Sequence, residues 1–534
     1  MKWVRFSRSF AALALASFVI MPLEAQSQQP PVKFKIKAIY DSGGFGANAV
    51  ALSDLNGDGH IDLIVANACP SGGCSNDTEG VVSVRLGNGD GTFQAPNNYA
   101  SGGNRPTFVA VGDVNGDGKP DLAVANLCRS GNDCSLDDTG EISVLLGNGD
   151  GTFQAAVRYG SGGFSPMSVL IADVSRDGKA DLLVANHCGA LECMGKTLGS
   201  VGVLLGNGDG TFKAPVSYAS GGGRAVALAV ADLNGDGDLD LAVANECVIF
   251  DGDTCNSGLG VVGVLLGKGD GTFQPAVYYL SGGHDAGSLA IEDMDGDGHP
   301  DLVVTDNRTA GHGHAGVMLN NGDGTFQAPI VRIAGFEAGA VAAGDLNGDG
   351  IPDIAVVNTC TSNLCTSGKV SFLAGIGGGD ITGVVSGALS GGNLSAGIAM
   401  GDINADGRPD VVVANYCGDS QTCNGSANAS VGVLMNSLVL ATTTTTVTSS
   451  NNPAHVNQPV TLTATVSCSR PVPNGEVVTF SIGTTKIGSG TTTNGVATLT
   501  TSFSMAKSYT IKAIYAGFDY LGASSGTVKQ VVNP

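Results

Sequence analysis

The sequence predicts an all-β chain, a seven-bladed β-propeller followed by a β-sandwich, and three observations lead there. An acidic nine-residue pattern, D-x-[NSD]-x-D-G-x-x-D, recurs seven times. Short apolar segments separated by glycine-rich turns fill the intervals, without helical periodicity. The last repeat lacks its fourth segment, and a segment like it stands ahead of the first repeat.

The pattern starts at Asp54, Asp113, Asp173, Asp232, Asp293, Asp345 and Asp402, in steps of 59, 60, 59, 61, 52 and 57 residues. Such a period marks a repeat architecture, each repeat being one supersecondary unit. One apolar segment leads into each acidic loop (Ala49–Ser53, Phe108–Gly112) and a second leaves it (Asp62–Asn67, Asp121–Asn126, Asp240–Asn245). A third, such as Val81–Leu86 or Ile142–Leu146, runs into Gly-Asn-Gly-Asp-Gly. The fourth runs from Thr-Phe-Gln to Tyr-x-Ser-Gly-Gly, as in Thr92–Gly103 and Thr272–Gly283. Four short strands joined by turns make one antiparallel sheet, and radial repetition of such sheets makes a propeller.

The seventh repeat reaches its third strand, Val431–Asn436, and stops. Val32–Gly44 reads like Gln94–Gly103, so the N-terminal strand is expected to complete the last blade and remove two open sheet edges. The expected organisation is a signal peptide at 1–25, a short linker at 26–31, the propeller at 32–439, a Thr/Ser-rich linker at 440–450 and a sandwich at 451–534.

Lys2, Arg5 and Arg8 precede an apolar run from Phe10 to Met21, and Pro22 and Ala25 suit cleavage before Gln26. The run is short for a membrane span, and no later stretch approaches 18 apolar residues. A secreted or cell-surface protein, with no transmembrane segment in its mature chain, is therefore expected.

Composition narrows the partners. Lys+Arg number 26 against 48 Asp+Glu, a net charge of -22, which gives no electrostatic reason to bind nucleic acid or an anionic membrane. A hydrophobic share of 42% opposes a disordered acidic polymer, and the 82 glycines lack the Gly-X-Y period of collagen.

Six cysteine pairs fall between the second and third strands: Cys69 and Cys74, Cys128 and Cys134, Cys188 and Cys193, Cys247 and Cys255, Cys360 and Cys365, Cys417 and Cys423. Recurrence at one position in an exported chain reads as local disulfides, each worth about 2 kcal/mol in the chain-entropy model. Zinc is the competing reading, but two thiols per repeat cannot fill a tetrahedral shell. Cys468 is left over.

The acidic loop with its Asn-Gly-Asp-Gly-Thr-Phe turn resembles the FG-GAP/VCBS repeat, related to the blades of the integrin α-chain propeller. The resemblance implies seven blades with a structural calcium ion in each acidic loop. Calcium takes six to eight oxygens, and in the first loop Asp54, Asn56 and Asp58 point inward, the His60 carbonyl can follow, and Asp62 closes the shell. The same roles pass to Asp113, Asn115, Asp117 and Asp121; to Asp232, Asn234, Asp236 and Asp240; and to Asp293, Asp295, Asp297 and Asp301. They pass also to Asp345, Asn347, Asp349 and Asp353, and to Asp402, Asn404, Asp406 and Asp410. The third loop keeps Asp173, Asp177 and Asp181, but Ser175 replaces the amide and Arg176 the glycine, a neighbouring cation that should weaken the site. The alternative is an Asx-turn hairpin without metal, against which three crowded carboxylates would repel one another. The Asn-Gly-Asp-Gly segments, with one carboxylate each, read as tight turns.

After Ala441–Ser450, strands are expected at Val460–Val466, Glu476–Ile482, Val496–Thr501 and Tyr509–Tyr515. Gln458–Val466, Asn494–Leu499 and Ile511–Tyr520 resemble the bacterial Ig-like repeat domain, which implies an Ig-like β-sandwich acting as a spacer or adhesion module.

Three functional readings stand. The first is a non-catalytic scaffold that binds a protein or matrix polymer on the face carrying the cystine loops. The second is a lectin-like carbohydrate binder, for which aromatic stacking platforms are few. The third is an enzyme, a hydrolase or lyase, although neither H-E-x-x-H nor G-x-S-x-G occurs and no catalytic residue is assigned. In the fifth repeat, which lacks cysteines, His312 and His314 read as solvated, with metal binding as the lesser alternative.

Overall fold

A computed structural model describes residues 32–534 apart from 71–73, 75–77, 130–138, 190–197, 249–257, 309–311, 361–366, 419–428, 438–441, 469–471, 473 and 518–520. The expected signal peptide and N-terminal linker lie outside the described residues. All regular structure in the described residues is β-strand.

In the first sheet, Gly44–Ser53, Asp62–Pro70, Glu79–Arg85 and the first half of Asn97–Gly112 pair antiparallel in chain order. The second half of Asn97–Gly112 then opens the next sheet by pairing with Asp121–Arg129. Val157–Ala172, Val216–Ala231, Val277–Glu292 and Ile330–Gly344 serve twice in the same way, outermost in one sheet and innermost in the next. The outer strands begin several residues after Thr-Phe-Gln, whose phenylalanine makes only an isolated bridge, as Phe93 does with Gly87.

The last sheet has the order Phe34–Asp41, Ser430–Asn436, Asp410–Cys417, Asn393–Gly401. Phe34 lies opposite Asn436 and Asp41 opposite Ser430, so the N-terminal strand supplies the outer strand that the last repeat lacks. The described residues thus form seven four-stranded sheets, and their first strands lie side by side in a closed circuit, Gly44–Ser53 beside Asn393–Gly401.

Burial follows this order. The second strands are buried at almost every position, whereas outer strands such as Asn97–Gly112 begin exposed. An apolar core fills each gap between neighbouring sheets. The one joining last to first combines Val50, Leu63 and Val65 with Ile403, Val412 and Val431. Sheet stacking, which excludes water from both faces of each second strand, holds the assembly together.

The C-terminal unit is a sandwich. Thr444–Ser449, Val460–Ser467 and Val496–Thr501 face a sheet built from Ala454–His455, Ser524–Asn533, Ser508–Tyr515, Val477–Ile482 and Thr485–Thr491. Strict inside–outside alternation, as in Ser508–Tyr515, buries Leu462, Phe480 and Tyr515 between them. Part of the expected linker is instead the first strand: Thr444–Ser449 pairs with Val460–Ser467, alternately burying Thr445 and Val447. A threonine run has the β-branched side chains that favour a strand.

Candidate metal centre

Each acidic loop folds back on its first carboxylate. Asp54 Oδ1 accepts the N–H groups of Gly57 at 2.8 Å and Asp58 at 3.2 Å, and Oδ2 that of Gly59 at 2.9 Å. Asn56 Oδ1 accepts from Asp58 N–H at 3.0 Å, and Asp58 Oδ1 from His60 N–H at 2.8 Å. Gly57 and Gly59 take φ of +72° and +82°, the left-handed region in which glycine is unstrained. The same bonding recurs at Asp113, Asn115 and Asp117, at Asp232, Asn234 and Asp236, and at Asp293, Asp295 and Asp297. It recurs again at Asp345, Asn347 and Asp349 and at Asp402, Asn404 and Asp406.

The hydrogen bonds are those of an Asx-turn, and the turn gathers oxygens. In the fifth loop ligand atoms of Asp293, Asp295 and Asp297 lie within 4.8 Å of one another, the one such cluster among the described residues. The other loops substitute an amide or hydroxyl for the middle carboxylate. A hard, all-oxygen donor set on a short loop fits a cation of the calcium type.

The ninth aspartate, expected as the closing ligand, has a further role. Asp62, Asp121, Asp181, Asp240, Asp301, Asp353 and Asp410 are all fully buried. Asp62 Oδ2 accepts Leu55 N–H at 2.9 Å and Oδ1 accepts Gly87 N–H at 2.7 Å, so it ties the acidic loop to the turn between the third and fourth strands. Equivalent pairs of bonds occur in all seven sheets. Burial, followed by the neighbouring loop carboxylates, pushes Asp301 and Asp410 up to about 6; Asp353 rises to about 8, chiefly by burial. A cation would relieve that penalty on the charged forms.

The second loop residue is the anchor that sequence reasoning missed. Leu55, Val114, Val174, Leu233, Met294, Leu346 and Ile403 are buried, each in the core shared with the adjoining sheet. The available signal was an apolar residue at that position in every copy. Asn-Gly-Asp-Gly segments behave as turns: Asp90 Oδ1 accepts both the N–H (2.9 Å) and the hydroxyl (2.5 Å) of Thr92, and these bonds lower its pKa.

The third loop departs. Ser175 Oγ donates to Asp173 Oδ1 at 3.4 Å, and Asp181 Oδ2 accepts Ser175 N–H at 3.2 Å. The Arg176 guanidinium reaches Asp238 in the fourth loop.

On the opposite ends of the strands, Cys69 and Cys74 form a disulfide with Cα atoms 5.5 Å apart. Cys128, Cys188, Cys247 and Cys417 are also disulfide-bonded. Cys134, Cys193, Cys255, Cys365 and Cys423 lie outside the described residues, as does the side chain of Cys360. Buried Asn67 donates to Ser42 O at 3.3 Å, and Asn126, Asn186, Asn245 and Asn415 grip the other Ser-Gly-Gly bends alike. The fifth sheet has Asp306 instead, beside buried His314 with Oδ1 3.8 Å from Nδ1. His312 is exposed.

Comparison with known families places the sequence in a class. The FG-GAP-like repeat model covers residues 54–124, 134–184, 193–243, 247–304 and 293–356, and the FG-GAP repeat model covers 106–145. The bacterial Ig-like domain (group 3) model covers 447–533. The chain belongs to the FG-GAP repeat family and carries a C-terminal Ig-like domain. FG-GAP repeat proteins are typically extracellular, and no helix among the described residues is long and apolar enough to cross a membrane. No curated protein sequence matches. Among solved structures, the extracellular domain of BT4673 from B. thetaiotaomicron is similar at 10% identity and a TM-score of 0.36. The match covers 93% of this chain and 59% of that one.

Proposed function

We propose that the protein is an exported, calcium-stabilised propeller of seven blades, a non-catalytic scaffold that binds another protein or a matrix polymer. The supporting observation is the double placement of each acidic loop. Its first, third and fifth residues present oxygens, while its second residue is buried between two sheets. Asp293, Asp295 and Asp297 and their counterparts would hold the ion, and calcium would supply positive charge against crowded carboxylates. A metal there stabilises the packing of sheets rather than a reaction. The face with the cystine loops is the binding face in this reading, and the Ig-like domain is a spacer.

Two measurements test it. Metal analysis and thermal melts with and without EGTA should show bound calcium and a lower melting temperature on chelation; a metal-free protein with an unchanged melt removes the calcium reading. Pull-downs from the native surface environment, with and without calcium, should capture a protein or polymer. Specific hits on a glycan array would redirect the assignment to a lectin.

A further inference from the structure

Two departures from the repeat coincide in space. At the fourth loop position six copies have Gly57, Gly116, Gly235, Gly296, Gly348 and Ala405, and the third alone has a charged residue, Arg176. At the seventh position His60, Lys119, Lys179, His299, Ile351 and Arg408 stand in six copies, and the fourth alone has an acid, Asp238. Arg176 Nη1 lies 2.5 Å from Asp238 Oδ1, joining the third sheet to the fourth. Arg176 holds φ at +54°, a region costly for a residue with a Cβ. The side chain of Asp238 is 19% exposed and that of Arg176 58%, so the carboxylate is partly shielded while the guanidinium faces solvent.

The third loop is also the poorest cation site. Ser175 turns its hydroxyl to Asp173, and it is this hydroxyl together with Arg176 that sets the loop apart. Lys179 Nζ stands 3.4 Å from Asp177 much as Lys119 Nζ stands 3.6 Å from Asp117 in the second loop. We infer that Arg176 is a built-in strut that takes over calcium's ordering role in this loop, tying the third loop to the fourth and keeping it ordered without metal. This rests on the calcium reading of the other loops. In those six copies the order of the loop depends on an ion; here it depends on a guanidinium.

The test uses the full chain and the variants R176G, D238N and S175N/R176G, with folding checked by thermal melting in calcium. The expected wild-type stoichiometry is about six tightly bound calcium ions. In EGTA, amides of residues 173–181 should exchange about tenfold more slowly than those of the other loops. R176G and D238N should both lose that protection, and S175N/R176G should bind one more ion. Equal occupancy of all seven loops in the wild type, or protection in EGTA unaffected by both single variants, overturns the proposal. If the wild type binds no calcium, the calcium reading falls, while exchange in R176G and D238N still decides whether the strut exists.

Discussion

Tyr99, in the outer strand of the first sheet, stands edge-on to Phe153 of the second, with ring centroids 5.5 Å apart and planes at 81°. The pair links two sequence signatures that lie in different repeats, Tyr-x-Ser-Gly-Gly and Gly-Thr-Phe. Tyr40–Phe93, Tyr159–Phe212, Tyr218–Phe273 and Tyr279–Phe326 repeat it. Where the fifth sheet meets the sixth, Arg332 takes the tyrosine's place and pairs with Asp380 at 2.6 Å. Where the sixth meets the seventh, Phe34 stacks on Phe372 with centroids 4.4 Å apart. Each joint between sheets thus has its own clasp.

Phe153→Ala should destabilise the propeller by about 3 kcal/mol, since it opens a cavity and removes an edge-to-face contact. Tyr99→Phe keeps the ring and should cost only about 1 kcal/mol. Urea unfolding midpoints check the order; equal losses would mean that the hydroxyl, not ring packing, carries the clasp.

Leu233→Ala removes the fourth loop's anchor from the core it shares with the fifth sheet. A loss of about 2–5 kcal/mol is expected from the buried volume. Calcium affinity should fall with it, because the loop carboxylates would no longer be held in place. Calorimetric calcium titration beside a thermal melt tests the coupling.

The metal-free protein should lose stability as pH rises. The folded pKa of Asp353, about 8, lies above its unfolded value of 3.8, so the native state binds the extra proton. Its contribution is full below pH 4 and is lost as pH climbs towards 8. Asp301 and Asp410 act in the same direction up to about pH 6. Melts in EGTA should therefore drop between pH 5 and 8, and calcium should flatten the curve. A melt in EGTA that rises over this range contradicts the prediction.

Replacing Cys69 and Cys74 by serine opens a short loop and should cost about 2 kcal/mol. Because the bridge closes within one sheet, hydrogen exchange should rise near 69–74 and leave the distant acidic loops unchanged.

Much of the fold was legible because its signals are local. Hydrogen bonds within the acidic loop span seven residues or fewer, as from Leu55 to Asp62, so the nonapeptide announces itself wherever it occurs. The closing strand was readable because Phe34–Asp41 repeats an outer-strand pattern that the last repeat lacks. Less legible was the double duty of Asp62 and its counterparts, since the partner Gly87 is 25 residues away. The strand at Thr444–Ser449 was hidden by a composition that also suits a linker.

By itself, the sequence determined the repeat, the loop that gathers oxygen ligands, the pairing order within each sheet and the identity of the strand that completes the last one. Tertiary structure alone decided which residues meet across sheets: Leu55 with Val109 of the second sheet, Tyr99 with Phe153, and Arg176 with Asp238. The physical reason is range. Strand pairing and turn bonding act between neighbours along the chain, whereas these contacts depend on how one twisted sheet sits against the next.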